Sequence, residues 1–90
     1  MRYSVVMKKR FIGRYVVTDP RICHGQPTFR GTRILVSDVL EQVASGMDWQ
    51  AIIEEWRGGI GERAISEAVR LASEALSAQA GQLAAETAAA

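Results

Sequence analysis

The chain has 90 residues, of which 48% are hydrophobic and 23% are charged, and it contains one cysteine and one histidine. This length predicts one small domain with a thin core, so self-association is expected. One cysteine excludes an internal disulfide, and no apolar run approaches the roughly 20 residues that span a bilayer. The basic start is not followed by the apolar segment of a secretory signal, so we expect a soluble, cytoplasmic protein.

The charges are distributed unevenly along the chain. Residues 1–36 hold eight basic residues and one acid, which gives +7, whereas residues 37–90 hold three basic residues and nine acids, which gives −6. The net charge of +1 therefore conceals a basic first part and an acidic second part. Such an asymmetry decides which part attracts nucleic acid or a charged protein.

The first third of the chain predicts a small β region. Residues 1–13 predict a basic N-terminal arm, and the β-branched and aromatic run at 14–18 predicts a short strand that Asp19 and Pro20 end. Two very short strands are expected on either side of the turn sequence HGQP, at 21–23 and 28–30. The apolar residues at 33–36 predict another short extended segment.

The rest of the sequence predicts three helices. Ser37 is the expected N-cap of the first helix, with Asp38 in its first turn and Gly46 just beyond its end. Asp48 is the expected cap of the second helix. That helix has four apolar residues at helical spacing, which predict a buried core stripe or an interface: Trp49, Ile52, Ile53 and Trp56.

A glycine-rich break at 57–62 precedes the third helix, which is expected to begin near Glu62. Its apolar face is predicted from five residues at helical spacing: Ile65, Ala68, Val69, Ala72 and Leu76. Residues 14–76 therefore predict a single domain, and residues 77–90 an Ala-rich C-terminal tail. The tail is poor in large side chains, so we expect it to be ordered only in part unless a partner packs on it.

No set of side chains predicts catalysis, a metal site or a cofactor. Cys23 and His24 are neighbours, and neighbours in an extended segment point to opposite faces, so we do not expect a nucleophile pair. A metal site would need further cysteine or histidine ligands, which the chain lacks. A small hydrolase or transferase is therefore the least favoured class of protein. The helical acids are expected to be solvated: Glu54, Glu55, Glu62, Glu67 and Glu74.

Two short helices joined by the turn sequence SGMD, with a third helix behind them, predict a helix-turn-helix core. The second helix presents Asp48, Gln50, Glu54 and Glu55, and phosphate would repel such an acidic face. We therefore expect any nucleic acid on the basic β region instead. The candidate contact residues are Lys8, Lys9, Arg10, Arg14, Arg21, Arg30 and Arg33.

The sequence Gly-Thr-Arg at 31–33 permits two interpretations. Backbone amides and a guanidinium that follow a turn can bind a phosphate group. In the structural interpretation, which we favour, Gly31 supplies a turn with positive φ, and Arg33 pairs with Asp19 or with a helix end.

Residues 14–76 resemble the domain-of-unknown-function family 433. The shared pattern is an Asp-Pro, a Gly-x-Pro-x-x-x-Gly-Thr-Arg hairpin, a short apolar strand, and two helices separated by a glycine. The matching residues are Asp19, Pro20, Gly25, Pro27, Gly31, Thr32, Arg33, Val36, Leu40, Gly46, Ile52 and Trp56. The resemblance implies a mostly α fold with a small N-terminal β region: a three-helix, homeodomain-like or winged helix-turn-helix core with short antiparallel strands.

The resemblance also implies a function that is not enzymatic. Members are widely interpreted as antitoxins of bacterial type II toxin–antitoxin pairs, each next to a PIN-like ribonuclease toxin. We therefore expect a homodimer that binds the toxin and its operator DNA. The alternative is a homo-oligomeric protein-interaction module with no nucleic-acid role, which the acidic second helix and the apolar surface of a small domain favour.

Overall fold

A computed structural model describes residues 8–89 of the chain. Three short strands are followed by three helices, and the first strand lies in the stretch for which the sequence predicted only a basic arm. The strands are β1 (Arg10–Phe11), β2 (Val16–Thr18) and β3 (Thr28–Phe29), and the helices are α1 (Val36–Ala44), α2 (Trp49–Glu55) and α3 (Glu62–Ala89). The expected mostly helical fold with a small antiparallel N-terminal sheet is therefore confirmed.

The sheet has the order β1-β2-β3, and β2 pairs in antiparallel fashion with both neighbours. Side chains alternate between the two faces of a strand, so Val16 and its partner Phe29 share one face, and Val17 and its partner Thr28 share the other. Val16 and Phe29 belong to the hydrophobic core shared with the helices. The face that carries Val17 and Thr28, both of them also buried, lies outside this core, and we call it the outer face of the sheet.

The centre of the core includes a side chain of each helix with no exposed surface, namely Val39, Ile52 and Ile65, to which the sheet adds Phe29. Helices α1 and α2 pack on each other and both pack on α3. Residues 45–48 form the four-residue turn between α1 and α2, and Gly46 adopts a φ of +87° in it. This arrangement is the helix-turn-helix core that the sequence predicted.

Helix α1 begins one residue before the predicted cap. Leu35, not Ser37, is the N-cap residue, and Ser37 lies inside the helix. The reason is that Leu35 is extended and forms an isolated bridge with Thr28, while the Val36 amide donates to the Pro27 carbonyl at 3.0 Å. Strand-like pairing therefore continues up to the first helical residue. Asp48 is the N-cap residue of α2, as expected.

The strand predicted at 21–23 is wrong. The Asp19 carboxylate accepts a hydrogen bond from the Arg21 amide at 3.0 Å, and the Asp19 carbonyl accepts one from the Ile22 amide at 2.9 Å. These bonds turn the chain after Pro20, and a 3-10 turn follows at Cys23–Gly25. The neighbouring strand predicted at 28–30 is present as β3.

Both ends of the predicted domain continue into regular structure. Residues 1–7 of the predicted basic arm lie outside the described residues, whereas residues 8–13 include β1. Helix α3 extends through the predicted tail to Ala89, and residues 72–86 are exposed. Leu76, expected on the apolar face of α3, is 61% exposed because the helix is longer than the core beneath it. Within residues 8–89, no helix has both the length and the hydropathy to cross a membrane.

Candidate nucleic-acid interface

The seven basic residues predicted to contact nucleic acid all have exposed side chains, but they do not form one continuous site. Arg14 and Arg30 lie beside Tyr15, next to arginines of α3, whereas Lys9 and Arg33 line a pocket on the outer face of the sheet. Arg21 lies next to this pocket. Arg10 is in β1 and Lys8 precedes it.

We call the first group the Tyr15 surface, which consists of Arg14, Tyr15, Arg30, Arg63 and Arg70. The Arg30 guanidinium lies 5.7 Å from the centre of the Tyr15 ring, within the range of a cation–π contact, and the Arg30 amide donates to the Tyr15 carbonyl at 2.7 Å. Two open pockets of about 550 and 280 Å³ flank the ring, and Arg63 lines both. Exposed guanidinium groups around an aromatic ring are chemically suited to a phosphate backbone.

The sequence did not predict the contribution of Arg63 and Arg70. Both residues belong to the second part of the chain, which is acidic as a whole. The charge count therefore did not include them among the candidate nucleic-acid contacts. The available signal was their spacing of seven residues, which places two side chains on one face of a helix. The sequence could not show that this face lies next to Tyr15.

Glu67 holds the Tyr15 surface together. One carboxylate oxygen accepts the Arg14 amide at 2.8 Å, and the other accepts the amides of Tyr15 and Val16 at 2.7 and 3.1 Å. Gly13 allows this approach, because a Cβ atom there would lie 2.6 Å from a carboxylate oxygen of Glu67. The predicted solvated role of Glu67 is therefore wrong, since its carboxylate binds the backbone amides that lead into β2.

The second group of basic residues surrounds what we call the hairpin pocket. This cavity of about 330 Å³ is lined by Lys9, Val17, Asp19, Ile22, Thr28, Gly31, Thr32 and Arg33. Gly31 has a φ of +76°, as the structural interpretation of the Gly-Thr-Arg sequence predicted. The Thr32 hydroxyl donates to the Phe29 carbonyl at 2.8 Å and accepts the Ile34 amide at 3.0 Å, which fixes the hairpin.

Asp19 pairs with Arg21, so Asp19 is wrong as one of the two partners predicted for Arg33, the other being a helix end. The Arg21 Nε atom lies 3.2 Å from one Asp19 oxygen, and a terminal nitrogen of the same guanidinium donates to the other oxygen at 3.4 Å. The hydrogen bonds from the Arg21 side chain and amide hold the pKa of Asp19 below its ordinary value. Arg21 is favoured because the turn after Pro20 brings it back to the carboxylate, whereas Arg33 remains exposed.

Cys23 and His24 lie in one turn rather than on opposite faces of a strand. Both have positive φ values, 51° and 57°, in the left-handed region that glycine prefers. The Cys23 thiol lies 3.6 Å from the Arg33 carbonyl, which ties this turn to the hairpin, and His24 is exposed. Within residues 8–89, no group of three or more histidine, cysteine, aspartate or glutamate side chains is arranged to hold a metal ion.

Helix α2 keeps its acidic face exposed. Asp48, Gln50, Glu54 and Glu55 are all solvent-exposed, which leaves the outer face of the usual recognition helix without a basic side chain. The opposite face packs into the core through the four residues of the predicted stripe. Trp56 also donates its indole N–H to the side-chain oxygen of Gln42 in α1 at 2.7 Å.

These features define a small helix-turn-helix domain whose basic side chains surround an N-terminal sheet. The chain belongs to the family described as "Protein of unknown function (DUF433)", whose model matches residues 16–72. The family predicted from the Gly-Pro-Gly-Thr-Arg pattern is thereby confirmed.

Comparison with solved structures finds the X-ray crystal structure of Rv2018 from Mycobacterium tuberculosis, with 35% sequence identity and a TM-score of 0.53. The match covers 60% of this chain and 24% of the Rv2018 chain, so it spans about a quarter of that protein. No curated protein matches the chain.

Proposed function

We propose that this chain is the antitoxin of a bacterial type II toxin–antitoxin pair, a cytoplasmic homodimer that binds operator DNA and neutralises a PIN-like ribonuclease. The observation that carries the proposal is the Tyr15 surface. Its four guanidinium groups face solvent, and the carboxylate of Glu67 beneath them is already bound to three amides. Four arginines against the carboxylates of Glu62 and Glu67 leave this surface a net charge of +2, which attracts phosphate.

The acidic face of α2 supports a separate site for the toxin. Asp48, Glu54 and Glu55 are exposed and lie on a helix that contributes no residue to the Tyr15 surface. A nuclease that binds RNA needs basic groups near its active site, and such groups would pair with this acidic face. DNA and toxin would then occupy different parts of the domain.

The DNA test measures binding of the chain to its own upstream DNA by fluorescence anisotropy at several salt concentrations. We expect Arg30→Ala and Arg70→Ala to weaken binding, because each variant removes a guanidinium from the Tyr15 surface. The matched control is Arg57→Gly, which removes an exposed arginine outside that surface where a φ of 55° suits glycine. If the three variants bind equally well, the Tyr15 surface is not the DNA site.

The toxin test co-expresses the chain with the PIN-like protein encoded beside it and measures growth and co-purification. We expect Glu54→Lys combined with Glu55→Lys to abolish the complex and leave DNA binding intact. Glu41→Lys, an exposed charge reversal on α1, is the control and should keep the complex. Absence of a complex with the unmodified chain would exclude the antitoxin function.

The alternative function, a homo-oligomeric interaction module, is supported by an apolar groove. This groove of about 220 Å³ is lined by Ile12, Val16, Pro27, Val36, Leu40, Ala68, Leu71, Ala72 and Ala75. Leu76 continues the apolar surface beside it. If the chain oligomerises in analytical ultracentrifugation but binds no DNA even at low salt, the alternative function replaces the antitoxin.

A further inference from the structure

We infer that the hairpin pocket is a binding site for a phosphate group. The observation that points to a ligand is Thr28, a residue of the pocket wall that is 1% exposed. Its hydroxyl has no hydrogen-bond partner among the described residues. Buried polar groups are nearly always paired with protein, water or an ion, so an unpaired hydroxyl beside a cavity indicates a missing partner.

The groups around the pocket identify that partner as an anion. Lys9 and Arg33 both line the cavity, and among residues 8–89 neither of them forms an ion pair. The pocket also contains the Asp19 carboxylate, but this group is bound by the Arg21 guanidinium and amide. Lys9, Arg21 and Arg33 against Asp19 leave a net charge of +2 around a cavity large enough for a phosphate group.

The hairpin residues that line the pocket also carry backbone donors. The Thr32 amide donates to the Phe29 carbonyl. The Thr32 hydroxyl also donates to that carbonyl and accepts the Ile34 amide, so neither group is free to bind a ligand. The amides of Gly31 and Arg33, in contrast, donate to no group of the described residues. A turn with positive φ that leaves two nearby amides free, next to a guanidinium, offers donors of the kind that bind anions.

A phosphate group offers acceptor oxygens to match these donors, and charge-assisted hydrogen bonds of this kind are the strong ones in proteins. The phosphate can come from a small phosphorylated molecule or from a nucleic-acid backbone. The inference does not rest on the antitoxin proposal, because a small phosphorylated ligand would fill the pocket whether or not the Tyr15 surface binds DNA.

The test titrates the full chain with inorganic phosphate at constant ionic strength and follows the backbone amides by NMR. We expect saturable shifts at residues 28–33 and an affinity that falls about tenfold or more in Arg33→Ala, because each charge-assisted bond contributes roughly that factor. Arg57→Gly is the control and should bind as tightly as the unmodified chain. Absence of saturable shifts at residues 28–33 would overturn the inference.

Thr28→Val separates binding from folding. This variant keeps the shape of the side chain and removes the unpaired hydroxyl, so we expect an unchanged or higher unfolding temperature together with an affinity for phosphate several times weaker. A merely structural threonine would give the reverse result, with lower stability and unchanged affinity. That result would also overturn the inference.

Further titrations identify the source of the phosphate. A mononucleotide that competes with inorganic phosphate for residues 28–33 would indicate a small ligand. Binding of an oligonucleotide at these residues, with or without a terminal phosphate, would instead indicate the nucleic-acid backbone. Arg70→Ala, which changes only the Tyr15 surface, should leave the phosphate titration unchanged, so a failure of the pocket is distinguishable from a failure of the antitoxin proposal.

Discussion

A single carboxylate, that of Glu67, accepts hydrogen bonds from three consecutive amides that lie 51 to 53 residues earlier in the chain. The sequence could predict that residue 67 lies in a helix, because apolar residues recur at helical spacing around it. It could not predict the role of the side chain, since a partner so distant in sequence leaves no local pattern. The sequence also could not predict that the Thr28 hydroxyl lacks a hydrogen-bond partner, because its burial and the pocket beside it exist only in the folded chain.

Glu67→Gln tests this role directly. We expect the free energy of unfolding to fall by about 1–3 kcal/mol, because an amide oxygen replaces a charged acceptor and one amide donor loses its partner. Glu74→Gln is the matched control on an exposed turn of the same helix and should change stability by no more than about 0.5 kcal/mol. Urea denaturation of the two variants measures the difference, and equal effects would contradict the role assigned to Glu67.

Gly13→Ala should destabilise the chain through the same contact. The added Cβ would lie 2.6 Å from a Glu67 oxygen, so the carboxylate must move away from the amides. In a Glu67→Ala background the penalty should largely disappear, and a double-mutant cycle measures this coupling. Gly31→Ala provides the contrast, because its φ of +76° and open surroundings predict a cost of roughly 1 kcal/mol that does not depend on Glu67.

The Asp19–Arg21 pair predicts a pH dependence of stability. The pKa of Asp19 is lowered in the folded chain from its ordinary value of 3.8, mainly by the Arg21 side chain. The pair therefore stabilises the fold above pH 3.8, and this contribution is lost as the pH falls through the lowered pKa. Arg21→Ala should be less stable than the unmodified chain at neutral pH, and the difference should shrink below pH 3.8.

The urea midpoints of both chains, measured from neutral pH to about pH 2, test this dependence. Arg33→Ala is the control, because Arg33 forms no ion pair among the described residues, and its effect should not vary over the same range. A difference between Arg21→Ala and the unmodified chain that stays constant down to the lowest pH would contradict the assigned pair.

At the scale of elements, periodicity and turn residues predicted the three helices, and β-branched residues predicted β2. The errors occurred where a side chain competes with the regular backbone pattern. The Asp19 carboxylate turns the chain where the apolar content suggested a strand, and the bridge from Leu35 to Thr28 moves the start of α1. The first interaction is local, because an aspartate that bonds the amide two residues later is a known turn signal that the apolar residues after it outweighed in the prediction. The second has no local signature, because Leu35 pairs with a residue of β3.

The exposed C-terminal part of α3 depends on intrinsic helix propensity, because residues 72–86 are exposed and have no core beneath them. Gly81 lies in this part with open space around its Cα. Gly81→Ala should stabilise the local helix by about 1 kcal/mol and slow amide hydrogen exchange around residue 81. The exchange of core amides near Ile65 serves as the internal control and should not change. Faster exchange around residue 81 would contradict this account of α3.

At the scale of the whole molecule, folding rearranges the charge asymmetry of the sequence. The basic first part of the chain forms the sheet and the hairpin, and the acidic α2 remains exposed. Helix α3, however, adds Arg63 and Arg70 to the Tyr15 surface. The sign of the net charge of each part of the chain was therefore predictable from the sequence. Which arginines form the basic surface could be learned only from the folded structure.

For the proposed DNA site, the Tyr15 surface predicts how strongly salt would weaken binding. Four phosphate contacts would give a slope of about −3 to −4 in a plot of the logarithm of the binding constant against the logarithm of the salt concentration. Arg63→Ala should make this slope shallower by about one. The same titration with Arg57→Gly should reproduce the slope of the unmodified chain, and an unchanged slope in Arg63→Ala would remove that residue from the interface.

The bonds that Glu67 makes also determine when the Tyr15 surface can assemble during synthesis. A contact across 51 to 53 residues closes a long loop, whose entropy must be overcome before the contact contributes any stability. A nascent chain that ends before residue 67 already contains three of the four arginines of the Tyr15 surface. It still lacks the Glu67 carboxylate, which accepts the backbone amides at residues 14–16. The backbone of the Tyr15 surface therefore cannot be ordered by Glu67 until this part of α3 has left the ribosome, and the proposed DNA site would form only after that step.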